Sequence, residues 1–429
     1  MSLKPERKDI YFDDQEEMPA TARQLYLDRK LRAAIGNAWK YAPSARELME
    51  KARLKPSDIR SNRSLVRLPI TRKADLLEMQ KLRPPYGGFL AIKPEDVERV
   101  FISPGPLYEP FHSSKIKWFS RALWAAGFRK GDVVINTFDY NLSPEGMLLH
   151  EALRQCGATV VDTDNGSAEL QLRTMRDLKV NGFVGIPSFL FSIIHKAEET
   201  GFNFRNDYSL KRAWFTGEML TPADRETLEN SYGIDTRQAY NINEVGGAIA
   251  YECPQKAGMH FMDDYVLEIV DPATGNQLKP GEVGELVVTP INNPAWGMIR
   301  FGTGDLSSYT TERCACGRTS FRLNGILGRT ADAVKVGGEF LVAGQVDKAL
   351  LGFGSIAHYQ LIITRNDDRD ELTLKAELQD ETADRLKVSN GLNTQFQNAC
   401  HLKLDRVDFL TPGTFPQQYP HILDERKRE

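Results

Sequence analysis

No run of apolar residues in this chain approaches the roughly 20 that a membrane-spanning helix needs. A membrane partner is therefore not expected. One-sided charge is missing too, since 55 Lys and Arg stand against 58 Asp and Glu for a net charge of −3. So balanced a chain has no electrostatic footprint for nucleic acid or an anionic bilayer. Cysteine is scarce. There are five, an odd number, and the polar, acidic residues from Met1 to Pro19 carry no apolar signal core. That argues against a disulfide framework and leads to the expectation of a cytoplasmic location. Internal repeats and low-complexity tracts are absent as well.

What is present is an ordinary globular composition, 41% hydrophobic and 26% charged over 429 residues, too long for a single core. Residues 1–85 read as helical and polar, with an amphipathic stretch over 22–41 and a helix start after Pro69, capped by Thr71. Further on, short apolar strands at 133–137, 159–162, 182–185 and 212–216 alternate with helical spacing at 146–156, 168–178 and 187–199. That alternation predicts parallel strands with crossover helices. Beyond it, 265–270 and 284–289 flank a Pro272/Gly275 turn and read as antiparallel strands. The stretch after Gly328 reads as a small α/β unit, with strands at 359–364, 371–377 and 405–410 and a helix at 381–399. The expected division is 1–85, 86–327 and 328–429.

Two motifs carry most of the functional information: Tyr240-Asn-Ile-Asn-Glu244-Val-Gly-Gly247 and Arg300-Phe-Gly-Thr-Gly304-Asp305-Leu306. Around them, in order, lie Leu68-Pro-Ile-Thr-Arg-Lys-Ala-Asp-Leu76, Phe128-Arg-Lys-Gly-Asp-Val-Val-Ile135, Gly185-Ile-Pro-Ser-Phe189, Thr216-Gly-Glu218, Pro280-Gly-Glu-Val-Gly-Glu-Leu286 and Leu327-Gly-Arg329. Each alone is a weak signal. Their shared order and spacing resemble the phenylacetate–CoA ligase family of the adenylate-forming superfamily over nearly the whole chain. The resemblance implies an α/β adenylate-forming fold: a large N-terminal α/β domain with a β-rich region, and a small mobile C-terminal α/β domain.

The same resemblance implies roles. Glu244, a carboxylate just after a strand, would help hold Mg²⁺ against triphosphate oxygens. Asp305, read as lying in a Gly-flanked turn, would accept hydrogen bonds from the ribose hydroxyls, and Arg329 would face ribose and phosphate. Gly217, Glu218, Tyr240 and Asn241 would flank adenine. Tyr140, in the segment from Phe138 to Gly146, and a second wall of Ile186, Pro187 and Ser188 would line a pocket for an aromatic acid. Plainer readings stand beside these: Glu244 and Asp305 as surface carboxylates capping turns, and Phe138 and Phe189 as core packing.

Cys253 and His260, then Cys314-Ala-Cys316, offer three thiolates and an imidazole, the ligands zinc prefers and enough to close a tetrahedral shell. Members of the resembled family with these spacings bind a structural zinc. It would staple the loop carrying Asp305 to the strand region after Glu244. The alternative is three buried free thiols and a satisfied histidine.

Three departures bear on mechanism. The family's phosphate loop is rich in Ser, Thr and Gly with a lysine, so that N–H groups and hydroxyls cradle phosphates. Here the stretch is Ser103-Pro-Gly-Pro-Leu-Tyr-Glu-Pro110, with Glu109 at the lysine position, where a carboxylate facing a triphosphate would repel it. The family's C-terminal lysine has no counterpart between Pro412 and Arg426, and Lys427 lies beyond the expected point. The hinge Asp is replaced by Ala331, with Asp332 beside it. Whether the chain is an active enzyme therefore stays open at this level. The first reading is an atypical adenylate-forming ligase using ATP and Mg²⁺. It would carry an aromatic or related carboxylic acid through an acyl-AMP to CoA, an amine or a carrier thiol. The alternative is a zinc-stapled pseudoenzyme that binds AMP, an acid or a protein partner. A homodimer is left open.

Overall fold

The computed structural model describes residues 10–103, 106–163, 166–337, 339–350, 353, 355–366, 369–379, 385–400, 402–416 and 419–426. They form two compact units. The first holds the chain up to Glu282, Leu286–Thr303 and Ser308–Gly325; the second holds Val283–Glu285, Gly304–Ser307 and the chain from Ile326 onward.

The first unit opens on helices α1 (Ala20–Tyr41) and α2 (Pro43–Lys51). A two-residue strand β1 (Thr71–Arg72) then leads into α3 (Lys73–Leu82). The helix expected after Pro69 thus begins two residues past Thr71, which pairs in a sheet instead of capping it. A hairpin of β2 (Arg99–Ser103) and β3 (Leu107–Phe111) follows, then α4 (Ile116–Ala125). That helix buries Trp118, Phe119, Ala122 and Leu123 in the main core.

The alternating region comes out as the spacing of apolar residues predicts. Strands β4 (Val133–Asn136), β5 (Thr159–Asp162), β6 (Gly182–Gly185) and β7 (Arg212–Phe215) run parallel, linked by α5 (Glu145–Gln155), α6 (Ala168–Asp177) and α7 (Pro187–Glu199). β6 and β7 are buried through Val184 and Phe215, and β4 is buried along Val134–Asn136, so their sequences are dominated by apolar residues, with Asn136 polar at the end of β4. Helices α6 and α7 enclose a second core around Leu172, Met175, Ile193 and Ile194.

β8 (Asp235–Ile242) adds in parallel to β7 and antiparallel to β9 (Gly247–Glu252), which pairs with β10 (Met259–Phe261). After β11 (Tyr265–Val270), β12 (Gly284–Pro290), β13 (Phe301–Thr310) and β14 (Arg322–Arg329), the sheet order is β11-β12-β13-β14-β10-β9-β8-β7-β6-β4-β5, with β1 parallel on β13.

In the second unit a short ladder of β15 (Val334–Val336) and β16 (Glu339–Leu341) precedes α8 (Ala343–Leu350). A four-stranded sheet orders β17 (Ile356–Asn366), β18 (Arg369–Leu378), β19 (Arg406–Leu410) and β20 (Ile422–Asp424) as β19-β18-β17-β20, with α9 (Arg385–Cys400) after β18. Leu361, Ile363, Leu372, Leu374, Leu392 and Phe396 make its core. Among the described residues, no helix is long and apolar enough to cross a membrane.

Candidate active site and metal centre

Parallel strands leave their carboxyl ends open to ligands, and most of the expected site residues in the first unit lie on or just after such ends. Glu244 stands in the turn Asn243–Val245 between β8 and β9. Gly246 and Gly247 there take φ of 108° and 128°, values open to glycine, and the chain reverses. The Glu244 carboxylate accepts from Lys73 Nζ at 2.8 Å and is 11% exposed. Its carbonyl accepts from Trp296 Nε1 at 2.7 Å, and Asn243 donates to Glu145 at 2.5 Å. Lys73, the first residue of α3, thereby joins the Leu68–Leu76 motif to the Tyr240 motif. Arg300 joins the first of these to β13: held at φ 49°, its buried guanidinium donates to Glu268 and to the carbonyls of Leu68, Val66 and Gly275.

The phosphate-loop stretch differs from expectation. Leu107–Phe111 is a strand, paired antiparallel with Arg99–Ser103, and Glu109 lies across from Phe101. The pleat sends Tyr108 outward and Glu109 inward. Ser103 Oγ donates to the Glu109 carboxylate at 2.5 Å, and Glu109 is 5% exposed. The carboxylate that was to face a triphosphate is therefore buried. Burial pushes it up to about 7, while Ser103 and Lys115 pull it back and Glu244 and Glu145 add to the rise. Lys115, equally buried, donates to the Pro110 carbonyl at 3.3 Å and is brought down to about 8 by burial. Pro104 and Gly105 lie outside the described residues.

On the acid and adenine side, Gly217 takes φ 82°, and a Cβ there would stand 3.7 Å from Ile186 and 3.9 Å from Phe138. The next residue, Glu218, accepts from the Ser188 backbone N–H at 3.2 Å and from its hydroxyl at 2.7 Å, just after Pro187 opens α7. Those residues therefore meet, and Glu218 is committed to the start of α7. The Asn241 side-chain amide and the Thr216 hydroxyl are buried without a hydrogen-bond partner among the described residues. Orphaned polar atoms of this kind are costly and point to a ligand that supplies partners. Tyr240 pairs with Ala250 across β8 and β9. Tyr140 donates its hydroxyl to Asp162 at 2.7 Å and accepts from Asn136 at 2.7 Å, while His150 Nδ1 meets the same Asp162 oxygen at 2.7 Å. Burial, then Asp162, raises the Tyr140 phenol.

In the second unit, Asp305 lies inside the continuous strand β13 rather than in a turn. Gly304 beside it takes φ 74°, which bends the strand without ending it. Its carboxylate accepts from Arg329, at the end of β14, at 2.8 Å; Asp305 is 10% and Arg329 59% exposed. The two expected nucleotide ligands of this unit are thus brought together. Ala331 and Asp332 lie in an exposed turn after Arg329. At the other end, Arg426 is engaged by Asp424 and Asp370 at 2.8 Å each, and Lys427, Gln417 and Gln418 lie outside the described residues.

Cys253, His260, Cys314 and Cys316 converge, their ligand atoms all within 4.8 Å of one another. Cys253 and Cys314 sulfurs are 3.7 Å apart, and Cys316 Sγ is 3.3 Å from His260 Nε2. Cys253 follows β9, His260 sits in β10, and the other two lie on the loop that leaves β13. Ser320 Oγ lies 3.3 Å from His260 Nδ1 and steadies the ring. Hydrogen bonds from Cys253 and His260 hold Cys316 down to about 3, in the thiolate form a metal takes. Three thiols and an imidazole fit zinc, and four protein ligands leave no open position. All four sit on this loop and the β9–β10 hairpin; Asp305 itself is on the preceding strand.

Lys73, Lys115, His150 and Asp162 went unassigned in the sequence. Lys73 stands inside a quoted motif. Asp162 ends a parallel strand, and that position is its signal. Nothing in the sequence marks Lys115 or His150.

Residues 114–292 match the AMP-binding enzyme family, and residues 342–426 match the AMP-binding enzyme C-terminal domain. A phenylacetate-coenzyme A ligase of Thermus thermophilus is 31% identical over 381 residues, covering 86% of this chain and 84% of that protein. The phenylacetate-coenzyme A ligase of Escherichia coli is 29% identical over 411 residues, covering 92% of each. An open conformation of 2-hydroxyisobutyryl-CoA ligase, crystallised with 2-HIB-AMP and CoA, matches with a TM-score of 0.84 at 25% identity, over 99% of this chain and 96% of that one. With this cover from end to end, the chain belongs to the phenylacetate–CoA ligase family of AMP-binding, adenylate-forming enzymes.

Proposed function

We propose that this chain activates a carboxylic acid, aromatic or closely related, as its acyl adenylate and passes the acyl group to CoA, with an amine or a carrier thiol as alternative acceptors. The acid carboxylate attacks the α-phosphate of ATP, the bond to the β-phosphate oxygen breaks, and pyrophosphate leaves. The acceptor thiolate or amine then attacks the acyl carbon, and AMP leaves. The observation that supports this reading is the inward turn of Glu109: its carboxylate is buried on Ser103 inside the hairpin instead of standing with Tyr108 on the exposed side of the ribbon.

In this reading Glu244 helps to hold Mg²⁺, which when bound offsets triphosphate charge. Asp305 accepts from the ribose hydroxyls and Arg329 turns to phosphate. Asn241 and Thr216 give their unpartnered groups to the adenine edge beside Gly217 and Tyr240. Tyr140, Ile186, Pro187 and Ser188 line the acid pocket, with Glu218 fixing Ser188. The unit from Ile326 onward serves as the small C-terminal domain. Cys253, His260, Cys314 and Cys316 hold a structural zinc.

One observation favours the second reading, an impaired relative that binds nucleotide or acid without adenylating. No lysine stands between Pro412 and Arg426, and Arg426 is tied to Asp424 and Asp370. Calorimetric titration with Mg-ATP and with AMP, followed by pyrophosphate release across a panel of aromatic acids, separates the two. Micromolar ATP binding with acid-dependent release is the expected result. AMP binding alone, with no release, would establish the second reading. Asp305→Ala is expected to abolish binding of both nucleotides; unchanged affinity would refute the ribose assignment.

A further inference from the structure

Tyr140 sits in the connection from β4 to α5, among exposed neighbours. Asp139, Asn141 and Leu142 all face solvent, and Leu142 takes φ 58°. No regular element therefore fixes its ring. One side is set by α5, whose backbone comes so close at Gly146 that a Cβ there would stand 2.9 Å from Tyr140 Cδ2. The rest is set from the hydroxyl end. Asn136, fully buried at the carboxyl end of β4, donates to the phenol oxygen at 2.7 Å and to the Gly146 carbonyl at 2.8 Å. The hydroxyl in turn donates to Asp162 Oδ1, at the carboxyl end of β5, at 2.7 Å.

Alone, Asp162 would be a loose anchor, because its side chain is 47% exposed and water competes for its oxygens. His150, in the second turn of α5, removes that freedom. Its Nδ1 lies 2.7 Å from the same oxygen that Tyr140 uses. A carboxylate offers only acceptors, so Nδ1 carries the hydrogen and donates. The imidazole also stands edge-on to the phenol ring, with centroids 6.1 Å apart. Donors from two places in the fold thus hold one oxygen, and connected hydrogen bonds of this kind strengthen one another.

We propose that Asp162 and His150 are positioning residues for the acid, which act by holding Tyr140 as a fixed wall of its pocket. This rests on the reading of Tyr140 as that wall. Phenylacetate is the probe, titrated calorimetrically into the intact protein in the presence of AMP, with AMP affinity and melting temperature measured alongside. Asp162→Ala should weaken phenylacetate about tenfold, the worth of one hydrogen bond, and leave AMP affinity unchanged. His150→Ala should weaken it by a smaller factor. Asp162→Asn, which keeps an acceptor oxygen for the phenol, should recover most of the loss. In a Tyr140→Phe background neither alanine substitution should weaken phenylacetate further, because the hydroxyl through which both act is gone. Unchanged phenylacetate affinity in Asp162→Ala overturns the proposal and leaves the pocket reading standing. Additive losses in the Tyr140→Phe background overturn it too, as does a parallel fall in AMP affinity and melting temperature, which would mark a merely structural role. No phenylacetate binding by the wild-type protein would overturn the pocket reading and this proposal together.

Discussion

Glu109 stands where the resembled family has a lysine, and the pleat of a two-stranded ribbon decides what that substitution does. Buried against Ser103, its carboxyl is raised from 4.5 to about 7. The folded state therefore holds a proton that the unfolded chain has released between those values. Stability from this group is full below about 4.5 and is lost as pH rises through about 7. Glu109→Gln has no such slope. Relative to wild type it should gain on the order of 1–3 kcal/mol between mildly acid and mildly alkaline solution. Thermal denaturation of the two proteins across that window tests this, and a parallel pair of curves would refute it. Residues of this kind mark the limit of sequence reading. The Glu109 substitution was legible, but its facing depended on whether Pro106 to Pro110 formed a loop or a strand. Asp305, Arg329, Glu218 and Ser188 were likewise named from motifs, while the pairing of Asp305 with Arg329 and of Glu218 with Ser188 follows only from three-dimensional placement.

At the scale of elements, the four parallel strands and the helices between them were legible to within one residue, because buried strands and amphipathic helices impose different periods on apolar residues. β3 was not, since prolines at 104, 106 and 110 signal a turn; Pro110 is tolerated within β3 because the ribbon has only two strands, each an edge. The convergence of Cys253, His260, Cys314 and Cys316 was legible for a different reason: Cys and His at ligand spacing carry chemistry that few other arrangements need. What the spacing could not reveal is its second client. Arg318, two residues beyond Cys316, makes a buried pair with Glu16 at 2.6 Å, across 302 residues of sequence. Tyr251 donates to the same carboxylate at 2.9 Å, and Tyr11 donates to the Cys316 carbonyl at 3.1 Å. The loop bearing Cys314 and Cys316 thus clamps the segment Ile10–Met18. Cys314→Ser should release metal, lower the melting temperature and speed proteolysis within that segment; full metal content with unchanged melting would sink the assignment. Arg318→Met leaves the four ligands in place but strands a buried carboxylate, at a cost of about 3–5 kcal/mol. Denaturation with metal content measured in parallel distinguishes the two, because only the first variant should lose metal.

For the whole molecule, the order of motifs along the chain carried the family, whereas the relative rates of the two steps of the reaction are not written in any one of them. The residues proposed to hold AMP, namely Gly217, Asn241, Asp305 and Arg329, are all present, as is Glu244, proposed for Mg²⁺. The C-terminal lysine implied by the resemblance is missing, and the nearest described cation, Arg426, is spent on Asp370 and Asp424. That lysine acts on the acid carboxylate and the α-phosphate while charge moves between them, and losing one such contact costs about 10²–10³ in rate. The second step makes no such demand, since the acyl group is by then already joined to AMP. The two steps should therefore have come apart. Given preformed phenylacetyl adenylate and CoA, the protein should form thioester at least about tenfold faster in a single turnover than from phenylacetate and ATP, a gap of about 1.4 kcal/mol or more in barrier. Equal rates would mean that another group has taken over the lysine's task. Thioester from neither starting point, with AMP still bound, would mean that recognition has outlived the chemistry.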